Sequence, residues 1–443
     1  MKKILVTAAA FGLVAGYAMT AHATNGYFAH GYSIKNKGMA GAGVAVPLDS
    51  MAPATNPALL TDVGSRLDVG LTFFSPRRKY DVAGDPTCTE PGENCPFGLI
   101  PGTVHSDSVF FLIPSIGYSR QLNEKSAIGL AVYGNGGMNT DWDTPTFNYV
   151  NPQQLPQGST GVDLMQLFIA PTYAHKLSDK HSIGITPIIA AQFFEAKGVD
   201  AFGGFTDSAL NQKNPDSLSG NGHDSSYGFG GRIGYLGKLT DQLSVGLSYQ
   251  TKIYMSEFDD YADLFAEQGD FDIPANWTVG FAFMPTPAVT VAFDVQQIYY
   301  GDVDSIANPM MNSAFNGQNF PLYGPLGSNN GAGFEWDDMT IFKLGLQWAR
   351  SEQWTYRFGY SYGEQPIQET SIMFNILAPG VIEQHATFGF TYTFANASEL
   401  DFSFAYAFNK DIKGPNPLEV PGQQTIELSM YQWEVGIGYS WKF

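Results

Sequence analysis

After position 64 the chain keeps a two-residue period, apolar on one side and polar or small on the other, as half-buried β-strands require. The end shows it best. Trp433, Val435, Ile437, Tyr439, Trp441 and Phe443 fall on one face, with Gln432, Glu434, Gly436, Gly438, Ser440 and Lys442 opposite. The same greasy face runs through Leu243, Val245, Leu247 and Tyr249, through Trp277, Val279, Phe281 and Phe283, and through Phe402, Phe404, Tyr406 and Phe408. Asp68, Arg232, Asp294, Lys343, Arg357, Asp401 and Glu434 keep to the other face, where they avoid the roughly 2–4 kcal/mol cost of a charge at the bilayer midplane. So many aromatic outward faces would aggregate a water-soluble sandwich, and they suit a wall that faces lipid.

Connections between the runs alternate in length. Polar turns such as Leu122–Gly129, Leu177–Gly184 and Leu239–Gly246 share one pattern, in which Asn, Asp, Ser and Thr side chains bond nearby backbone. Between them lie long Gly-, Pro-, Asn- and Asp-rich segments, including Arg78–His105, Met138–Gly161, Gly198–Asp224 and Asp302–Gly333. Short turns on one side and long loops on the other are the habit of outer-membrane barrels, and the runs number about 14. The expected fold is therefore an all-β, 14-stranded antiparallel transmembrane barrel over residues 65–443. Pro114, Pro171 and Pro187 fall inside strand runs and predict local irregularities, because each removes a ladder donor.

Residues 1–23 read as a secretory signal: Lys2 and Lys3, an apolar stretch from Ile4 to Ala18, and Ala21-His22-Ala23 before the cut. No later window holds the roughly 18 apolar residues of a spanning helix, so any crossing is made by strands. A net charge of -19 argues against nucleic acid as a partner. Cys88 and Cys95 sit close together in a Pro/Gly-rich segment of an exported chain, which predicts a loop-closing disulfide and leaves too few ligands for a metal site. The histidines, His30, His105, His175, His181, His223 and His385, have no nucleophile motif around them, so no enzyme, catalytic residue or cofactor is expected.

Residues 24–64 do not alternate. They carry the small-residue run Gly38–Val46, then Asn56-Pro57-Ala58, and predict a compact segment that fills a barrel lumen. With the run from Lys37 to Ala45, the strand start Ile273–Gly280, Trp336-Asp337-Asp338 and the terminal Trp441-Lys442-Phe443, the mature chain resembles the FadL-type outer-membrane transporters of long-chain fatty acids and other hydrophobic compounds. That resemblance implies a barrel closed by an N-terminal hatch at 24–64, with Tyr27, Phe28, Asn56, Pro57 and Ala58 in the hatch and pocket. It also implies a lateral opening beside a kinked third strand. Here that strand is Ser126–Gly137, ending in Gly134, Asn135, Gly136 and Gly137, where regular pairing should fail.

The expected function is passive uptake of hydrophobic compounds across the bacterial outer membrane, long-chain fatty acids first, with lateral release into the bilayer. Neutral aromatic hydrocarbons or alkanes by the same route, or small polar solutes through a general porin, are the alternatives. Arg232, Lys343 and Arg357 are candidate partners for a ligand carboxylate. Two apolar loops, one around Met310, Met311, Phe315, Phe320, Leu322 and Tyr323 and one around Phe258, Tyr261, Leu264 and Phe265, are either a capture groove or loops packed on each other. The expected partners are a hydrophobic small molecule and outer-membrane lipid, and the expected state is a monomer.

Overall fold

A computed structural model describes residues 25–88, 96–147, 158–314 and 320–443. Sixteen strands form one sheet; two short ones, Gly102–His105 and Tyr254–Met255, only extend its rim, leaving 14 that build the wall. These are β1 (Arg66–Ala83), β2 (Phe111–Gln121), β3 (Ser126–Trp142), β4 (Thr160–Ser178), β5 (His181–Lys197), β6 (Asp224–Lys238) and β7 (Leu243–Gln250). The second half comprises β8 (Asn276–Thr286), β9 (Val289–Ile298), β10 (Met339–Ala349), β11 (Trp354–Gly363), β12 (Gln384–Thr393), β13 (Glu399–Pro415) and β14 (Thr425–Lys442). Each pairs antiparallel with its sequence neighbour, and β14 returns to β1 in continuous register from Arg66↔Lys442 to Ala83↔Thr425. The barrel is closed, so no sheet edge is left to seek a foreign partner.

Burial alternates along most wall strands. On β5, Ile183, Ile185 and Ile189 are exposed toward lipid while Gly184, Thr186 and Ile188 are buried. On β14 the outward residues place Tyr439 and Trp441 at the short-turn end and Tyr431 and Trp433 at the long-loop end, two aromatic levels that match the membrane interfaces. The charged residues assigned to the polar face, Asp68, Arg232, Asp294, Lys343, Arg357, Asp401 and Glu434, are all buried inside.

Several strands run further than their side-chain pattern suggests. β1 continues through Arg78 to Ala83, and β3 continues past Gly137 to Trp142. Backbone pairing does not stop where the lipid stops, so these strands rise above the apolar band as a rim. Pro171 and Pro187 face each other in register across β4 and β5, and the pairing lapses between Ile169↔Ile189 and Tyr173↔Ile185 without shifting. Neither proline can donate to the ladder, so this rung is lost.

Residues 25–64 lie inside the barrel. The helical turn Ile34–Lys37 is capped by Ser33, whose Oγ accepts from Asn36 N at 3.1 Å. Asn56 caps the turn Pro57–Leu59 through Ala58 N at 3.1 Å, with Pro57 at the first position, where a missing N–H costs nothing. Asn56 Nδ2 also donates to the Val44 carbonyl (2.7 Å) and to the Tyr235 carbonyl of β6 (3.0 Å), which fixes the segment to the wall. Wall glycines make room: a Cβ at Gly184 or Gly246 would meet the backbone of Pro57 or Val44.

Candidate functional site

The wall has a notch between β2 and β3. Their pairing begins at Gln121↔Ala127 and stops at Ser115↔Tyr133, one residue after Pro114. β3 goes on for nine residues beyond Tyr133 to Trp142 without β2 beside it. The gap closes again at the rim, where Asp107 N donates to the Asp141 carbonyl (2.8 Å) and Ser106 bridges to Trp142. On its other side β3 shifts register against β4 between Gly134 and Gly136, so Asn135 is a bulged residue.

The leading segment occupies the lower part of this notch. Ala29 N donates to the Asn135 carbonyl (3.0 Å), Gly137 N donates to the Tyr27 carbonyl (2.9 Å), and Phe28 bridges to Gly136. A side chain at Gly136 would run into the Tyr27 carbonyl, so glycine is required for this approach. The Asn135 side chain, turned inward by the bulge, accepts from Tyr32 OH (3.2 Å) and donates to Gln166 Oε1 (2.9 Å). Gln166 donates to Gln192 Oε1 (2.9 Å), and Gln192 to the Phe271 carbonyl (2.8 Å). This string joins the segment, three strands and an outer loop, with its polar groups satisfied in a buried place.

Tyr27 and Phe28 are buried among aromatics of the barrel's upper half. Tyr27 lies 5.3 Å from Tyr300 and 6.1 Å from Trp336, ring centre to ring centre, and Tyr300 meets Trp336 edge-on at 5.3 Å. Tyr300 OH donates to the Asn25 carbonyl at 2.5 Å, and Trp336 Nε1 donates to Asn375 Oδ1 at 2.6 Å. Both rings therefore keep their polar atoms paired while burying their faces.

Below this lies a charged layer. Lys35 Nζ is 2.5 Å from Glu399, Lys37 Nζ is 2.7 Å from Glu434, and His30 Nε2 is 3.3 Å from Glu434. Asp294 of β9 accepts from the backbone N–H of Gly43 (2.7 Å) and Val44 (2.9 Å). The segment is thus tied to the inner wall by buried ion pairs and by amides cradling a carboxylate.

Above lie the loops. Met310, Leu322, Phe258, Tyr261 and Phe265 are buried in one apolar cluster, in which Phe258 and Phe265 pack on Phe194 and Phe265 on Phe271. Among the described apolar residues named in these loops, Tyr323 alone stands largely exposed, at 46%. A cavity of about 30 Å³ remains between the loops and the wall, lined by Val162, Phe194, Phe202, Phe265, Leu326 and Phe374 among others. No charged side chain lines it among the described residues.

The structure disperses the predicted site residues between these layers. Tyr27 and Phe28 meet Gly136 and Gly137 at the notch and Ala29 meets Asn135, with Gly134 one residue before them on β3, whereas Asn56, Pro57 and Ala58 sit lower, against β5 and β6. Arg232 donates to the Pro53 carbonyl (2.7 Å) and to Gln250, and Arg357 donates to Gln347 (2.9 Å) and Thr391 (2.7 Å). Lys343 stands opposite Asp294 and reaches the His30 carbonyl at 3.5 Å. All three cations are buried and engaged by protein groups. Cys95 of the predicted disulfide, the signal segment 1–23, Thr24 and Phe315 lie outside the described residues. Sequence reasoning missed Tyr300 and Gln166, which fall in runs whose pattern marks only their face, and Arg78, which was placed in a loop.

A family model described as outer membrane protein transport protein (OMPP1/FadL/TodX) matches residues 14–417. The fold is similar to that of a Pseudomonas aeruginosa FadL homologue (TM-score 0.68, 15% identity), over 94% of this chain and 100% of that one. It is also similar to the P. putida toluene transporter TodX (TM-score 0.63, 18% identity) over 94% of this chain and 99% of that one. The Ralstonia pickettii toluene transporter TbuX aligns likewise, with a TM-score of 0.62 and 18% identity over 94% and 99% of the two chains. A comparison with curated proteins finds no match. A closed 14-stranded wall and a family match over most of its length place the chain in the outer membrane, as a member of the OMPP1/FadL/TodX family of transport proteins and not an enzyme.

Proposed function

We propose that this protein takes up hydrophobic molecules without an energy source and releases them sideways into the outer membrane. The observation that carries the reading is the notch between β2 and β3, stoppered by the backbone of residues 27–29. Residues 25–64 act as a hatch in this account. They block the lumen, which opposes the general-porin alternative. The barrel closes on itself through β1 and β14, so a monomer suffices.

Burial is worth about 0.8 kcal/mol per methylene, which is enough to draw an acyl chain or ring out of water with no charged group. The loop cavity of about 30 Å³ is far below the roughly 150 Å³ that accommodates benzene, so capture requires the loops to part. Long-chain fatty acids and neutral aromatic hydrocarbons or alkanes share the route. The uncharged lining supports recognition of the apolar body. The contacts that Arg232, Lys343 and Arg357 make with protein groups weigh against them as carboxylate partners.

Uptake of radiolabelled toluene and oleate by cells lacking their own transporter is the test. Expression should raise the rate for at least one of the two, and no gain for either would sink the transport reading.

A further inference from the structure

Arg78 is a buried cation at the notch that no carboxylate contacts among the described residues. It lies on the inward face of β1, is 4% exposed, and forms no ion pair among the described residues. Its Nη2 donates to the Ser108 carbonyl, in the connection that borders the notch, and its guanidinium stands 5.9 Å from the centre of the Phe111 ring. Its Nε has no acceptor. The other inward cation of β1, Arg66, is held by Asp68 (2.6 Å) and Glu399 (2.8 Å), so the contrast belongs to this level of the strand.

The neighbouring polar groups do not complete it. Asn139 of β3 and Asp163 of β4 face each other across the ladder, and the Oδ1 atoms of both are buried without a partner. Asp163 acts on Arg78 electrostatically, yet its Oδ2 is taken by His223 Nε2 at 3.1 Å. A guanidinium out of water with an unfilled donor is costly unless something else completes the fork. Unsatisfied polar atoms at a break in a membrane wall mark a place that a polar group visits.

We infer that Arg78 receives the carboxylate of an amphipathic ligand in the notch, as the last protein contact before the apolar tail enters the bilayer. This rests on the lateral-release reading and adds head-group recognition to it. Arg78 would donate from Nε to one carboxylate oxygen and leave the tail against Phe111, Ile113 and Met138. No bond is made or broken. A neutral hydrocarbon uses the same notch without the contact.

Oleate and methyl oleate differ only in that head group, so their uptake is compared in wild-type, Arg78→Met and Arg78→Lys proteins, with heat-modifiable gel mobility as the check on folding. Arg78→Met should lower oleate uptake about tenfold or more, as loss of a charge-assisted hydrogen bond does, and leave methyl oleate unchanged. Arg78→Lys should restore part of the oleate rate. Equal loss for both ligands, or no loss for either, would overturn the assignment while leaving transport intact. Uptake of neither ligand by the wild type would remove the transport reading, and the assignment with it.

Discussion

Gly136 shows how one residue sets the state of the notch. Its missing Cβ lets the Tyr27 carbonyl approach β3, and the pairing of residues 27–29 depends on that approach. Gly136→Val should push this stretch off the edge. Influx of a large hydrophilic antibiotic should rise, and barrel melting should fall by a few degrees at most, since the wall ladder with β4 is untouched. Unchanged influx would argue that the pairing does not seal the notch. The glycine run 134–137 was legible as a fault in the strand because glycine weakens pairing wherever it falls. What filled the fault was not legible, since backbone hydrogen bonds between residues about a hundred positions apart leave no local pattern. Arg78 escaped notice for a related reason. Pro76 breaks the apolar rhythm of β1, and the inward series Phe74, Arg78, Tyr80, Val82 is visible only once the strand is known to continue.

Among elements, the capped turn Ile34–Lys37 is the clasp between segment and wall. Lys37 and Glu434 are both about 95% buried and 2.7 Å apart. Removing one partner leaves the other charge uncompensated, at a cost of about 3–5 kcal/mol, whereas replacing both with apolar groups costs far less. Lys37→Met and Glu434→Leu should each lower the midpoint of urea-induced exposure of residues 25–64, and the double substitution should recover much of the loss. Additive losses would show that the two side chains do not act as a pair. The alternation of β7, β8, β13 and β14 was plain in the sequence because lipid and lumen demand opposite side chains on opposite faces. Strand ends were read short at β1 and β3, because side-chain pattern follows the bilayer while backbone pairing continues above it. The loops could be read only as apolar. Their burial in one cluster is a tertiary fact, decided by which long connections meet over the barrel.

At the scale of the whole molecule, the barrel holds two apolar compartments, and buried ion pairs lie toward the lower one. The upper one joins the loop aromatics to Tyr27, Phe28 and Tyr133. The lower one gathers Met39, Ala42, Leu59, Leu60, Ala127 and Ala174 near the short turns. A hydrophobic molecule entering from the loop side reaches the notch before it reaches the ion pairs of Lys35 and Lys37 with Glu399 and Glu434, so leaving through the wall is the route that never meets a buried charge pair. The family and the strand count were accessible from periodicity and a few motifs. The path between compartments was not, because it depends on which segment lies against which strand.

That path is open to direct mapping with an apolar diazirine probe, photolysed during uptake by membranes containing the protein and followed by peptide mass spectrometry. The account predicts adducts at Phe28, Phe111, Ile113 and Met138, around the notch, and few in the lower compartment. Adducts concentrated at Leu60, Ala127 and Ala174, with the notch unlabelled, would mean that cargo passes straight through the lumen and would contradict lateral release.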